Sequence, residues 1–365
     1  MTDSTATMPA AAPPTSPDAS AAGGGPRPRG GRGGAPTLEE VAELAGVSRS
    51  TASRAINGGL RVSPEAQAAV ESAIAQLGFT PNRAARSLVT RRSDSVALVI
   101  PEPDERVLTD PFFAGTLNGL SAALSSTDLQ LVLLIVRPGD NARATRYLRH
   151  GHVDGAIVVS HHQDDSLDRA LADSGLPHVF VGRPLERDRE VRHVDLDNAL
   201  GGRLATEHLV RLGRRRVATI AGPQDMAAGL DRLGGWRDVL REAGLPDDAV
   251  AFGDFTTAGG AAAATELLER HPDLDAIFAA SDLMAVGALG VLAERGRTVP
   301  GDVAIVGYDN LGVAESTKPQ LTTVVNPVVA MARRAGELLL DQLAGRPVAV
   351  DPVIFPPELV RRQSA

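Results

Sequence analysis

Two periodicities divide the chain. Between Leu38 and Leu77 the apolar residues recur at intervals of three and four: Leu38, Val41, Ala42 and Ala45, then Ala52, Ala55 and Ile56, then Ala66, Ala69, Val70, Ala73, Ile74 and Leu77. This spacing predicts three short helices, each burying one stripe. From Ser95 onward, short continuous apolar runs alternate with helical patterns. Strands are predicted at Val96–Ile100, Leu129–Val136, Gly155–Ser160 and His178–Gly182, then at Val217–Ala221, Val250–Asp254, Ala276–Ala279 and Val303–Tyr308. Helices are predicted at Phe113–Leu124, Ala142–Arg149, Ala199–Leu212, Leu230–Glu242, Gly259–Arg270 and Asp282–Arg295. Strands apolar on both faces and separated by helices make parallel sheets covered on both sides. Two such series predict an α/β architecture of two Rossmann-like lobes behind an all-α head. A ligand is expected in the cleft between the lobes, outside the carboxyl ends of the strands. Residues 1–36 follow neither period. Their Ala, Pro, Gly and Ser cannot offset the entropy of ordering, so a disordered tail is expected.

The head carries a specific local grammar. Thr37 and Glu40 have the spacing of a capping box, Gly46 permits a sharp turn, Val47 can plug the angle between helices, and Ser48 can cap the second helix. With Ala52, Ala55 and Ile56 turned inward, Arg49, Ser50, Ser53 and Arg54 face outward, followed by Asn57. This is a helix-turn-helix, whose partner is duplex DNA and whose second helix enters the major groove. Ser63-Pro64-Glu65 opens a third helix and Gly78 closes it. After Phe79-Thr80-Pro81, the stretch Asn82–Leu88 offers one or two helical turns, too short to be stable alone. The boundaries that follow are 37–81 for the head, 82–92 for a hinge and 93–365 for the two-lobe domain.

Composition changes this picture in three places. The chain has no cysteine, which removes disulfides and thiolate chemistry. The net charge of −8 argues against a nucleic-acid partner until its distribution is considered. Residues 37–92 hold seven arginines against five glutamates, whereas residues 93–365 hold 27 basic and 38 acidic side chains. DNA is drawn to one end and repelled from the other. No P-loop, Gly-x-Ser-x-Gly, Gly-x-Gly-x-x-Gly after a strand or metal-ligand cluster stands out, so an enzyme is not expected, nor a metal or cofactor. A transported-solute binding protein would share the two lobes but would need a signal peptide and would lack residues 37–92. No run approaches the ~18 apolar residues of a membrane span, and the expected location is the cytoplasm.

Thr37–Leu88 resembles the DNA-binding headpiece and hinge of the LacI/GalR family of bacterial transcriptional regulators. The likeness continues through Val194-Asp195-Leu196-Asp197-Asn198, Arg232-Leu233-Gly234-Gly235-Trp236, Ser281-Asp282-Leu283-Met284, Val306-Gly307-Tyr308-Asp309-Asn310 and Leu359-Val360-Arg361-Arg362. It implies a homodimer on a double-stranded palindromic operator, acting as a repressor under a small, sugar-like effector. It implies base or backbone contacts by Arg49, Ser50, Ser53, Arg54, Asn57, Arg83 and Arg86. Leu88 can pack into the head, but the resemblance implies a wedge in the minor groove. The positions matching effector contacts are Phe112, Phe113, Arg232, Phe255, Ser281 and Asp309, a set suited to hydroxyl groups and the flat face of a sugar ring. Of that set, Phe113 can equally be core, and Trp236 is expected in the core. His161 and His162 follow a strand and can reach the ligand, with no third residue to complete a metal site. Two departures from the family follow. Met226 and Ala228 stand where purine-responsive relatives are polar, and Arg183 stands where several sugar-responsive relatives carry an aspartate, which opens a phosphorylated or other acidic effector as the alternative. No heptad segment follows the last motif, so a tetramer built on a terminal bundle is not expected.

Overall fold

A computed structural model describes residues 36–56, 62–80, 92–137, 139–163, 167–185 and 191–365. Two compact units divide between Asn82 and Arg83.

The first unit is a three-helix head: α1 (Leu38–Leu44), α2 (Arg49–Ile56) and α3 (Pro64–Leu77). Among the described residues its buried core is Val41, Ala42, Ala52, Ala55, Val70 and Ala73. Small side chains bury little area each, so local devices matter in proportion. The Thr37–Glu40 capping box is formed in both directions, Ser63 caps α3, and Gly78 ends it at φ +62°. Each such cap contributes about 1 kcal/mol.

The second unit holds two six-stranded sheets. In the first the order is β11 (Val353–Phe355), β5 (His193–Leu196), β4 (His178–Val181), β3 (Gly155–Val159), β1 (Ser95–Ile100) and β2 (Gln130–Ile135), all parallel. In the second it is β12 (Glu358–Val360), β10 (Thr322–Val325), β9 (Ala304–Asp309), β8 (Ala276–Ala279), β6 (Val217–Ala221) and β7 (Val250–Phe252), parallel except for β12. Strand residues alternate between two buried faces. Val96, Leu98 and Ile100 join one core while Ala97 and Val99 join another, and Ala276 and Phe278 separate from Ile277 and Ala279 in the same way. This is why the strands read as unbroken apolar runs.

Around the first sheet lie α4 (Asp104–Thr109), α5 (Pro111–Leu124), α6 (Asn141–Arg149), α7 (Leu167–Ser174) and α13 (Val328–Leu343). The second lobe has α8 (Asn198–Arg211), α9 (Ala227–Glu242), α10 (Thr257–Arg270), α11 (Asp282–Glu294) and the short α12 (Val313–Ser316). The chain crosses between lobes three times: from β5 into α8, from β10 into α13, and from β11 into β12. The sequence pattern foresaw two consecutive series. It did not foresee that α13 and β11, late in the chain, return to the first lobe. Crossings of one or two residues form a narrow bundle of the kind about which lobes rotate.

At Gly119 of α5, a Cβ would fall 2.3 Å from the Val329 carbonyl oxygen of α13, whereas at Gly290 of α11 it would meet nothing within 4 Å. Gly119→Ala is expected to lower the urea midpoint by an amount equivalent to ~1–3 kcal/mol, and Gly290→Ala to leave it unchanged or raise it slightly. Asp282 opens α11 and is buried; it accepts the Thr323 hydroxyl at 2.6 Å and the Asn310 N–H at 2.8 Å. Burial, then the charge of Asp309, push its carboxyl up to about 8. The folded chain therefore holds a proton that the unfolded chain gives up, and stability falls as pH rises from the ordinary carboxylate range to about 8. Asn is nearly isosteric and can satisfy both partners, so Asp282→Asn should flatten that part of the melting-temperature profile. An unchanged slope between pH 5 and 8 would contradict the assignment.

Candidate DNA interface and effector cleft

On the head, the turn between α1 and α2 is built as its residues dictate. Gly46 sits at φ +66°, Val47 packs against the small core, and the Ser48 hydroxyl accepts from the Thr51 N–H at 3.1 Å. Arg49, Ser50 and Arg54 lie exposed along α2, and Ser53 is half-buried. The Arg54 Nε donates to the Ser50 carbonyl at 3.1 Å, which lays the side chain back along its own helix. Arg49 pairs with Glu39 at 2.6 Å, both side chains well exposed. Exposed pairs contribute little, so Glu39 is a counter-charge that a phosphate or base edge can displace. Nothing in the periodicity pointed to Glu39. Asn57, Arg83, Arg86 and Leu88 lie outside the described residues.

In the second unit, a cleft of about 760 Å³, open mouth included, lies between the lobes. It is lined by Phe112, His161, Arg183, Arg232, Phe255 and Asp309 from the set read in the sequence, and also by Arg106, Asp110, Ser160, Asp195, Asn198 and Asn326. Strand ends converge here. Ser160 follows β3, Asp309 ends β9 and Phe255 follows β7, and all three hold positive φ (57°, 117° and 64°). Backbone strain of this kind persists where the surroundings over-determine a side-chain direction.

Arg232 of α9 forms the floor. It is buried, its Nε donates to Asn198 Oδ1 at 2.9 Å, and its Nη1 donates to the Ala280 carbonyl at 2.7 Å. The guanidinium lies 3.7 Å above the Tyr308 ring and 5.7 Å from Phe255, with Asp309 at 3.9 Å. Asp309 also accepts from Asn326 Nδ2 at 3.2 Å. Burial raises the Asp309 carboxyl to about 6, with Arg232 opposing the shift and Asp110 adding to it. Burial likewise raises Asp110, which caps α5 by accepting from the Phe112 N–H at 2.9 Å. Phe255 rests on Gly222, where a Cβ would come within 2.4 Å of the ring.

The arginines of the cleft have carboxylate partners. Arg183 makes a two-pronged contact with Asp231 of the opposite lobe at 2.7 and 2.9 Å. Arg106 pairs with Glu102 at 2.5 Å and stacks between Phe113 and Phe255. Among the described residues no group of three His, Cys, Asp or Glu side chains is placed to hold a metal ion.

Two expected contacts fall elsewhere. Phe113 is fully buried behind Phe112, edge-on at 5.4 Å, and belongs to the core. Ser281 caps α11 by accepting from the Met284 N–H at 3.2 Å and does not line the cleft. Trp236 is fully buried in the core. Met226 and Ala228 do line the cleft, on its apolar side. Arg106, Asp110 and Asn326 escaped the sequence reading, because each sits at a helix terminus or lobe crossing where no periodic signal marks it.

Residues 37–82 match the model of bacterial regulatory proteins of the lacI family, and residues 206–365 match that of the periplasmic binding protein-like domain. The HTH-type transcriptional regulator CelR of Thermobifida fusca is 49% identical over 333 residues, covering 90% of this chain and 98% of that protein. The HTH-type transcriptional regulator GalR of Escherichia coli K12 is 34% identical over 333 residues, 90% of this chain and 95% of its own. Among solved structures, a complex of the regulator CelR with cellobiose aligns with a TM-score of 0.73 at 47% identity, over 90% of this chain and all of that one. The lac repressor dimer bound to operator and an anti-inducer aligns at 0.79 and 26% identity, over 90% and 98%. With its helix-turn-helix head and two-lobe cleft, the chain belongs to the lacI family of bacterial regulatory proteins.

Proposed function

We propose that this regulator binds a palindromic operator as a homodimer, represses transcription, and releases the operator when a neutral carbohydrate of disaccharide size closes the cleft. The observation that carries the neutral ligand is the charge balance: Arg106, Arg183 and Arg232 are engaged by Glu102, Asp231 and Asp309. A phosphorylated effector would have to displace one of these carboxylates and leave it facing the anion, at a cost of several kcal/mol in a buried site. Hydroxyl groups meet better complements. Asp309, Asp110 and Asn326 supply acceptors and a donor, and Phe112 and Phe255 supply apolar ring faces. The CelR relative solved with cellobiose supports the size and class.

On the head, Arg49, Ser50 and Arg54 are proposed as the base-reading set, with Arg54 suited to a bidentate contact with guanine. Arg54→Ala should cost ~1–3 kcal/mol of discrimination at one base pair per half-site, read by fluorescence anisotropy on operator variants. Wild-type protein should also show a steep loss of affinity between two salt concentrations. Equal binding to random duplex would overturn the operator reading.

For the cleft, cellobiose added to the operator complex should release it from wild type. Asp309→Ala should retain operator binding but no longer respond. Because the ionised Asp309 carboxylate accepts from hydroxyl groups more strongly than its protonated form, cellobiose affinity should weaken as pH falls through about 6. Stronger release by glucose 6-phosphate than by cellobiose would overturn the neutral-ligand reading.

A further inference from the structure

His162 belongs to the first lobe, immediately after the strand-end residues Ser160 and His161, yet its ring bridges to the second. Its Nε2 stands 3.1 Å from Glu102 Oε1 within its own lobe, and its Nδ1 stands 2.8 Å from Asp225 Oδ2 on the loop that precedes α9. Beside it the Gln163 N–H donates to the Asp225 carbonyl at 2.8 Å. A neutral imidazole has one N–H and one acceptor nitrogen. It cannot donate to two carboxylates, and its lone pair would face one of them. Only the imidazolium satisfies both contacts.

We propose that His162 is the positioning residue of the effector cleft: as a cation it clasps Glu102 to Asp225 across the lobes, so that closing the cleft takes up a proton and opening it releases one. The clasp rests on the reading that effector binding closes the lobes, but its own chemistry needs no ligand.

The surroundings make Asp225 the decisive partner. Glu102 is buried and its Oε1 is already shared with Arg106 and with the Ser160 hydroxyl, so it is stabilised as a carboxylate whether or not the lobes meet. The outer chamber beside the ring adds Glu105 and Arg137 from the first lobe and Asp254 from the second. Bonding to Glu102 first, then to Asp225, lifts His162 to about 9 against the opposing effect of burial. Separation of the lobes removes Asp225 and keeps Glu102, so the open form binds this proton more weakly. The closed form is therefore favoured at neutral pH, and the advantage is lost as pH rises toward and through about 9.

The chain has no cysteine, so spin labels can be placed cleanly on the full protein. Ser126→Cys, beyond the end of α5, and Glu294→Cys, at the end of α11, put one label on each lobe at exposed positions. Inter-lobe distances measured by double electron–electron resonance without ligand should show a short-distance population that is largest near pH 6 and declines as pH rises. It should fall to roughly half or less by pH 10 as the clasp loses its proton. In His162→Gln the change should vanish, and in Asp225→Asn, which keeps the imidazole, it should vanish as well. A wild-type population that ignores pH, or one that responds identically in both variants, would overturn the clasp. Cellobiose added to the same labelled protein reports separately: failure to increase the short-distance population would defeat the effector reading and leave the ligand-free result standing.

Discussion

The second unit is organised around one buried cation. Arg232 comes from α9, yet its partners come from different parts of the chain: Asn198 at the first lobe crossing, the Ala280 carbonyl after β8, Tyr308 within β9 and Asp309 at that strand's end. A guanidinium removed from water requires hydrogen bonds and counter-charge, and losing any partner leaves an unpaired charge in a low-dielectric site. These segments are thus held in mutual register by one side chain. The helices approach closely to make that possible. At Gly201 of α8 a Cβ would fall 2.2 Å from the Tyr308 hydroxyl, and at Gly202 it would fall 2.3 Å from the backbone oxygen of Arg232 itself. The geometry leaves one face of the cation, with Asp309 and Phe255, directed to the cleft. The group that organises the interior therefore also forms the floor of the candidate site.

The acids behind it show the cost of this arrangement. Burial raises the carboxyls of both Asp309 and Asp282, and the charge of Asp309 raises Asp282 further. At the cleft itself the charges are paired: Arg232 with Asp309, Arg106 with Glu102 and Arg183 with Asp231. Positive φ at Ser160, Phe255 and Asp309 adds strain in the same place. Departures from local rules thus concentrate where strands from the two lobes face each other, as expected of a site maintained against folding stability.

Much of this was legible in the residues. The head was readable from Thr37, Gly46, Val47 and Ser48, because capping and turn chemistry are local and survive without knowledge of the tertiary fold. The parallel lobes were readable from runs such as Val96–Ile100, since strands buried on both faces leave no polar alternation. The expected strand at Val250–Asp254 ends instead at Phe252, because Gly253 and Asp254 turn toward Thr256, whose hydroxyl is held by Asp254 at 2.6 Å. What escaped depends on long-range placement. Phe112 and Phe113 are neighbours of identical type, and only their position at the start of α5 decides which one faces the cleft. Ser281 looked like a ligand contact, whereas the free N–H of Met284 claims its hydroxyl. The pairing of Arg183 with Asp231, which gives that arginine a carboxylate partner, joins residues 48 positions apart across the lobes.

The same topology fixes where α13 begins and ends. The chain enters the first lobe at Arg92, whose guanidinium donates to the Leu343 carbonyl at 3.2 Å. Leu343 is the last residue of α13, and Val328, its first, follows the crossing at Asn326, the residue that holds Asp309. A 16-residue helix spans ~24 Å as a nearly rigid rod. One element therefore has its amino end at the cleft and its carboxyl end at the residue through which the chain passes toward the head. It is fixed laterally by Gly119 and Gly336 in close contact between α5 and α13, where no looser side chain can absorb a displacement. Asp309 and Asn326 thus adjoin the amino end of a closely packed helix pair. The late return of α13 to the first lobe, the feature least visible in the sequence, thus places one helix between the cleft and the Arg92 contact.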